Sequence, residues 1–293
     1  MQGHWRLKPV DLITYVALLT LIGTTLATQP HNPHGSTLLG KYSGLALVLT
    51  LLWWLDRGQF RIVRSLHAFY PLIFIPILFD SFADLLPWAS PVEQDSLLIQ
   101  LDRTLLGVDP TVWLEQFIHP ALTELLTWAY TSYYFLPIIL VVALYWRGKE
   151  WDFDRAVFGM VLGFYLSYVG YFLVPAVGPR FTLAHLHKVD LHGIFVADTI
   201  RETLNALERF KQDAFPSGHT AVVLLVLVYA WQFVRPLFWV FLPVVVALIF
   251  STVYLRYHYV IDVVAGILLA VLCVVLERMT TPLWPRSSDD RRP

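Results

Sequence analysis

Two histidines, one aspartate and two arginines carry most of the reactive chemistry this sequence offers. His258 and Asp262 are four residues apart, so on a helix they share one face and can hydrogen-bond. A carboxylate on one imidazole nitrogen fixes the tautomer and leaves the other nitrogen as a nucleophile or a base. His219 lies in a separate stretch, Phe215-Pro216-Ser217-Gly218-His219-Thr220, from which it can donate a proton to a leaving oxygen. Arg180, in Gly178-Pro179-Arg180-Phe181, and Arg256, just ahead of His258, add permanent cations whose planar forks match phosphate oxygens. The set predicts a phosphoryl-transfer site that needs neither a metal nor a cofactor.

The elements that must position these residues are membrane helices. The chain has 293 residues, 57% of them hydrophobic and only 15% charged, with a mean hydropathy of +0.59. Soluble domains carry about 25% charged residues, so an ordinary soluble globule is excluded, and 11 Trp, 14 Tyr and 19 Phe exclude a disordered chain. A net charge of −1 gives no electrostatic reason to expect nucleic acid. The single cysteine, Cys273, permits no intramolecular disulfide. A hydrocarbon layer of about 30 Å takes roughly 20 apolar residues per helix. Eight such stretches can be marked: Asp11–Ala27, Leu38–Leu55, Phe69–Trp88, Leu122–Trp146, Val157–Pro175, His219–Val234, Leu237–Leu255 and Ile261–Met279. The expected fold is therefore an all-α polytopic bundle over residues 1–293, with accessory helices at about 9–90 and the motif region at about 120–280.

Charge sets the orientation. With the N-terminus inside, Arg6, Lys8, Arg57, Arg61, Arg64, Arg147, Lys149, Arg155, Arg235, Arg278, Arg286, Arg291 and Arg292 all fall at the inner face, which makes both termini cytoplasmic. Arg6 and Lys8 ahead of an apolar run also fit a secretory leader; the expectation taken is an uncleaved first helix. Two outer segments, about 90–118 and 182–213, exceed simple turns and read as short amphipathic helices along the interface. No ionisable residue falls in the middle of any predicted span, so the usual marker of a transport pathway is missing. A lipid transporter or scramblase is the alternative class. The three polar stretches, by contrast, all meet at the outer face. The sixth and eighth spans both present an N-terminus there, with orphan amides and a positive dipole end that favour phosphate. Pro216 and Ser217 suit a helix start, and Gly218 allows the backbone to approach a ligand closely.

These stretches resemble the type-2 phosphatidic acid phosphatase superfamily, with its pattern K-x6-R-P, then P-S-G-H, then S-R-x5-H-x3-D. Pro216-Ser217-Gly218-His219 matches the second element, and Ser251, His258 and Asp262 match the third in spacing. The resemblance implies that His258 attacks phosphorus and Asp262 orients it. His219 would then protonate the leaving group, while Arg180, Ser217 and the Gly218 amide hold phosphate. The first element departs from the pattern: Pro179 precedes Arg180, and Leu173 stands where the family has Lys. In the third, Thr252 takes the family's Arg position and Arg256 is conjectured to replace that guanidinium. Gly178-Pro179-Arg180, Leu255-Arg256-Tyr257-His258-Tyr259 and Leu106-Gly107-Val108-Asp109-Pro110 are similar to the inositol phosphorylceramide synthase branch and its bacterial relatives. That branch implies transfer of a head group between lipids. The expected partners are a lipid phosphate, a water or hydroxyl acceptor, and the lipids of a bacterial-type plasma membrane, with the site extracytoplasmic. No protein partner is inferable.

Other polar groups read as structural. Tyr130, Tyr133, Tyr134, Tyr165, Tyr168 and Tyr171 are taken as interfacial or packing residues. His185, His187 and His192 are taken as a solvated loop, and Asp213 as a helix-entry residue. Asp80 and Asp84 are placed to bind a head-group hydroxyl or simply to reach water.

Overall fold

The computed structural model describes residues 7–56 and 60–284, and among them the regular structure is entirely helical. Arg6, Arg57, Arg286, Arg291 and Arg292 of the expected inner-face set lie outside the described residues. The chain divides into two compact units, Met1–Pro91 and Val92–Pro293.

The first unit holds α1 (Pro9–Thr28), α2 (Gly35–Leu55), α3 (Arg61–Phe69) and α4 (Pro71–Ala89). Leu18, Tyr42, Leu49, Leu78 and Phe82 fill its interior. The Tyr42 hydroxyl finds Ser81 Oγ at 2.8 Å, which satisfies two polar atoms that lipid could not. At one end His67 lies between Asp11, at 3.2 Å, and Asp56, at 2.9 Å.

The second unit begins with α5 (Asp95–Leu106), which stops at Gly107, and α6 (Pro110–Trp113). It continues through α7 (Pro120–Thr131), α8 (Leu136–Trp146), α9 (Glu150–Leu173), the short α10 (Pro179–Thr182) and α11 (Ala197–Leu207). It ends with α12 (Gly218–Phe233), α13 (Arg235–Tyr254) and α14 (Val260–Thr280). Helix α12 is the axis of this unit, packed on α8, α9, α13 and α14. Its buried residues, among them Ala221, Val222, Leu225, Val226 and Tyr229, run all round the helix. That pattern marks a helix enclosed by others. Val174-Pro175 ends α9, because the residue before proline is held out of the helical region, while α12 ends at Val234 (φ −140°) and Pro236 sits in the first turn of α13, where its missing N–H is tolerated.

Among the described residues six helical stretches are long and apolar enough to cross a membrane: Pro9–Thr28, Gly35–Leu55, Arg61–Ala89, Glu150–Leu173, Arg235–Tyr254 and Val260–Leu283. Two of the eight expected spans are not single long helices. The fourth stretch is two helices bent by 44° at a break beside Pro137, which cannot donate a backbone hydrogen bond. The sixth, α12, has only 16 residues.

Candidate functional site

Three chain segments of the second unit meet at the N-terminus of α12. The first runs from the end of α9 through Gly178 into α10 and carries Arg180. Gly178 has φ +87°, and a Cβ there would stand 2.5 Å from the Tyr257 carbonyl oxygen. The Arg180 amide donates to the Arg256 carbonyl at 2.9 Å, so this segment lies against the third. The second segment is the entry to α12. Ser217 caps it, its Oγ accepting from the Thr220 amide at 3.2 Å and the Thr220 hydroxyl at 3.0 Å. The Ser217 amide donates to the Asp262 carbonyl at 3.0 Å, which joins α12 to α14. A Cβ on Gly218 would stand 2.6 Å from the Tyr171 hydroxyl, so the glycine admits α9 as well as leaving its own amide uncovered. The third segment is the turn from α13 to α14, where Arg256 takes φ +69° and the Thr252 carbonyl receives the Tyr257 and His258 amides, each at 3.0 Å.

These segments bring the two histidines together. His219 Nδ1 is 3.2 Å from His258 Nε2, with the rings edge to face. His258 is 2% exposed, and its Nδ1 lies 2.8 Å from the Ala214 carbonyl. A carbonyl only accepts, so the proton sits on Nδ1 and the lone pair on Nε2. Asp262 Oδ2 is farther, 3.5 Å from Nδ1, and accepts the Tyr259 amide at 2.8 Å, while its Oδ1 is buried with no hydrogen-bond partner. The orienting bond expected from Asp262 alone is therefore shared with a backbone carbonyl that no side-chain pattern could reveal. Burial pushes the His258 pKa down to about 4, against the opposing pull of Asp213 and the Ala214 carbonyl. Asp213, in the segment before α12, is raised to about 7 by burial and by Glu208, against His258 and Arg180.

Arg180 and Arg256 point to different partners. The Arg180 guanidinium lies 4.7 Å over each of the Phe181 and Tyr257 rings, donates to Asn205 Oδ1 at 2.9 Å, and pairs with Glu208. Tyr257 stacks on Tyr130 at 4.5 Å and Tyr130 on His219 at 4.9 Å, so a continuous ladder of rings joins Arg180 to the histidine pair. Tyr133 packs on His219 at 4.3 Å, which gives two of the tyrosines read as packing residues a place beside the histidine. Arg256 instead donates to Glu115 at 2.9 Å and to the Val189 carbonyl. The two arginines line one cavity of about 260 Å³ with Arg201, Asp190, Asn205 and Tyr257. His187 bonds Thr111 and His192 bonds Asp198, both in the outer segments.

The helix termini also differ from one another. At α14 the Tyr259 amide is taken by Asp262, and the Val260 and Ile261 amides by Asp102, at 2.9 and 2.8 Å. Its positive end is thus already met by carboxylates, which corrects the expectation that both N-termini face an anion. Of the two, α12 keeps first-turn amides without a carboxylate on them among the described bonds.

A family model described as the PAP2 superfamily matches residues 96–276, a span that contains all three motif segments. The chain belongs to that superfamily, whose members are generally phosphatases. It is also similar to a PA-phosphatase related-family protein of Dictyostelium discoideum, 25% identical over 226 residues. The alignment covers 70% of this chain and 40% of that relative, so the chain spans well under half the relative's length. No solved structure matches.

The close approach at Gly178 gives a direct test of the first segment. Gly178→Ala places a side chain at φ +87° and ψ 168°, a conformation essentially reserved for glycine, at about 1–3 kcal/mol, and drives it into the Tyr257 carbonyl. A lowered thermal midpoint together with weaker phosphate binding is expected, read by thermal unfolding and by phosphate inhibition in detergent.

Proposed function

We propose that this chain is a membrane lipid phosphatase or phosphotransferase working through a phosphohistidine. The observation that carries the reading is the histidine pair: His258 Nε2, its lone pair freed by the Nδ1 contact to Ala214, faces His219 Nδ1 at 3.2 Å. A phosphoryl group attacked by His258 replaces the direct contact, the two rings parting from 3.2 Å to admit phosphorus and the leaving oxygen between the nitrogens. The N–P bond forms as the bond to the leaving oxygen breaks, and His219 supplies that oxygen's proton. In the second half-reaction His219 takes a proton from water or from a lipid or polyol hydroxyl, whose oxygen attacks phosphorus and releases His258. Arg180, the Ser217 hydroxyl and the Gly218 amide stabilise the equatorial oxygens, with the α12 dipole behind them. Arg256, on the wall of the same cavity, bears on the outer part of the substrate. Asp262, at 3.5 Å from Nδ1, acts on His258 by fixing the turn that carries it, through its bond to the Tyr259 amide.

The superfamily membership supports phosphatase chemistry, and the apolar helices support a substrate that is itself a lipid. Transfer to a hydroxyl is supported by the Gly-Pro-Arg and Leu-Arg-Tyr-His-Tyr sequence forms. The basic residues gathered away from the motif segments support an extracytoplasmic site.

The test is incubation of purified protein, in excess chelator, with lipid phosphates and phosphodiesters, with and without polyol or lipid alcohols. Free phosphate marks hydrolysis and a new phosphodiester marks transfer. Neither product from any of these substrates refutes the proposal.

The depressed His258 pKa sets the acid side of the profile. A neutral imidazole is the attacking form, and its folded-state pKa lies near 4 instead of the usual 6.5. The groups facing it are His219, Asp262, Asp213 and, through charge, Arg180. Activity is therefore expected to hold as pH falls through 6.5 and to fail only as pH approaches about 4. A wild-type pH–rate profile with its acid limb centred on 6.5 contradicts this assignment.

A further inference from the structure

Helix α5 grips both segments that carry the proposed phosphate-binding arginine and the attacking histidine. Asp95, 5% exposed, accepts the Val177 and Gly178 amides at 3.0 and 2.9 Å, two or three residues ahead of Arg180. The same carboxylate accepts the Tyr259 hydroxyl at 2.8 Å, from the residue next to His258. Asp102 lies seven residues, or about two turns, farther along the same face of α5. It is 2% exposed and accepts the Val260 and Ile261 amides that open α14. Tyr259 also bonds the Thr182 hydroxyl at 2.6 Å, so its ring ties the His258 turn to α10.

We propose that Asp95 and Asp102 are positioning residues of the site, fixing the separation between the Arg180 guanidinium and the His258 imidazole through the backbone on either side. The inference rests on the phosphoryl-transfer reading above. Each acid bonds backbone amides next to a functional residue, and both acids stand on one helix, so a shift of α5 moves the two segments together. The outward residues of that helix, Leu97, Leu101 and Leu105, are exposed, so its hold on the unit comes from the face that carries the two acids. In-line attack tolerates little error, since a displacement of about 1 Å costs about 100-fold in rate.

The test uses full-length protein in phospholipid nanodiscs, as wild type, Asp95→Asn, Asp102→Asn, Tyr259→Phe and the control Arg103→Ala. Arg103 is on α5 but pairs outward with Asp109 at 2.7 Å. The readouts are hydrogen exchange at residues 177–181 and 258–262, kcat and KM for a short-chain lipid phosphate, and inhibition by vanadate. Each Asn variant is expected to stay folded, with faster exchange confined to the segment it held. A kcat lower by about 100-fold is expected, with vanadate inhibition weakened in step and KM changed far less. Asp102→Glu, which keeps both acceptors, should recover part of kcat, and Arg103→Ala should behave as wild type. Should the Asn variants fail to fold, Tyr259→Phe carries the test, since it removes one hydroxyl, with its bonds to Asp95 and Thr182, and leaves both carboxylates on their amides; its kcat is expected to fall about tenfold. Wild-type kcat in Tyr259→Phe and in every folded Asn variant overturns the proposal, as does unchanged exchange. A wild-type protein that neither turns over nor binds vanadate, but whose segments loosen in the variants, sinks the phosphoryl-transfer reading and leaves the clamp standing.

Discussion

His258→Asn is expected to abolish turnover of every substrate, by about 10⁴-fold or more, which corresponds to about 5 kcal/mol of barrier. Asparagine retains a donor for the Ala214 carbonyl, which takes His258 Nδ1 at 2.8 Å, so the variant removes the nucleophile without orphaning a buried acceptor. The loss should not depend on the leaving group, because without Nε2 no N–P bond forms. His219→Ala serves as the counterpart. General acid catalysis contributes about 10²–10⁴-fold, and only for a leaving oxygen that needs a proton. An aryl phosphate, whose phenolate leaves unaided, should therefore still phosphorylate His258 in His219→Ala, giving a burst of phenol, and should give none in His258→Asn. Pre-steady-state release of the leaving alcohol from alkyl and aryl substrates reads the difference. Equal losses on both substrates in both variants would remove His219 from the role of acid. Full activity in His258→Asn would remove the phosphohistidine altogether.

Arg180→Ala is expected to lower kcat/KM by about 10²–10³-fold, the usual cost of losing one preorganised donor to a charged transition state. Arg180→Lys should recover only part, since an ammonium cannot reproduce a planar fork that bonds Asn205 and Glu208 while lying 4.7 Å from both the Phe181 and Tyr257 rings. Glu208 makes the prediction sharper. It pairs with the Arg180 fork, so a phosphate taking that fork competes with a carboxylate. Glu208→Gln removes the competing charge and should lower KM a few-fold, whereas Arg180→Ala leaves Glu208 without its cation and should cost thermal stability as well as rate. Steady-state kinetics and thermal unfolding on the two single variants and the double variant separate these effects. A Glu208→Gln protein with raised KM would mean that the carboxylate positions Arg180 and does not compete for it.

The helical architecture was legible because apolar runs and their proline and glycine boundaries are local signals. All eight predicted stretches are helical in the structure. The break in the fourth had its marker in Pro137, and the enclosed position of α12 was hidden because apolar residues all round a helix look alike whether they face protein or lipid. At the site, the Pro216–His219 and His258–Asp262 spacings drew attention to helix entries that do lie side by side. What stayed hidden was the destination of polar groups across long stretches of chain. Arg256 meets Glu115, 141 residues earlier in sequence, and Asp102 meets Val260 from 158 residues away. The contact that fixes the His258 tautomer comes from the Ala214 main chain, and a backbone carbonyl has no letter of its own.

The length of α12 has a consequence for how this protein sits among different lipids. Its 16 residues span about 24 Å, less than the roughly 30 Å of an average hydrocarbon layer. A lipid-facing helix that short would force the bilayer to thin around it. Sheathed by α8, α9, α13 and α14, it is spared that adjustment, which falls on its longer neighbours α9, α13 and α14. The residues at its head, Ser217, Gly218 and His219, therefore keep their height relative to the surrounding helices when acyl chains lengthen or shorten. Turnover per molecule should be nearly the same in thin and thick bilayers.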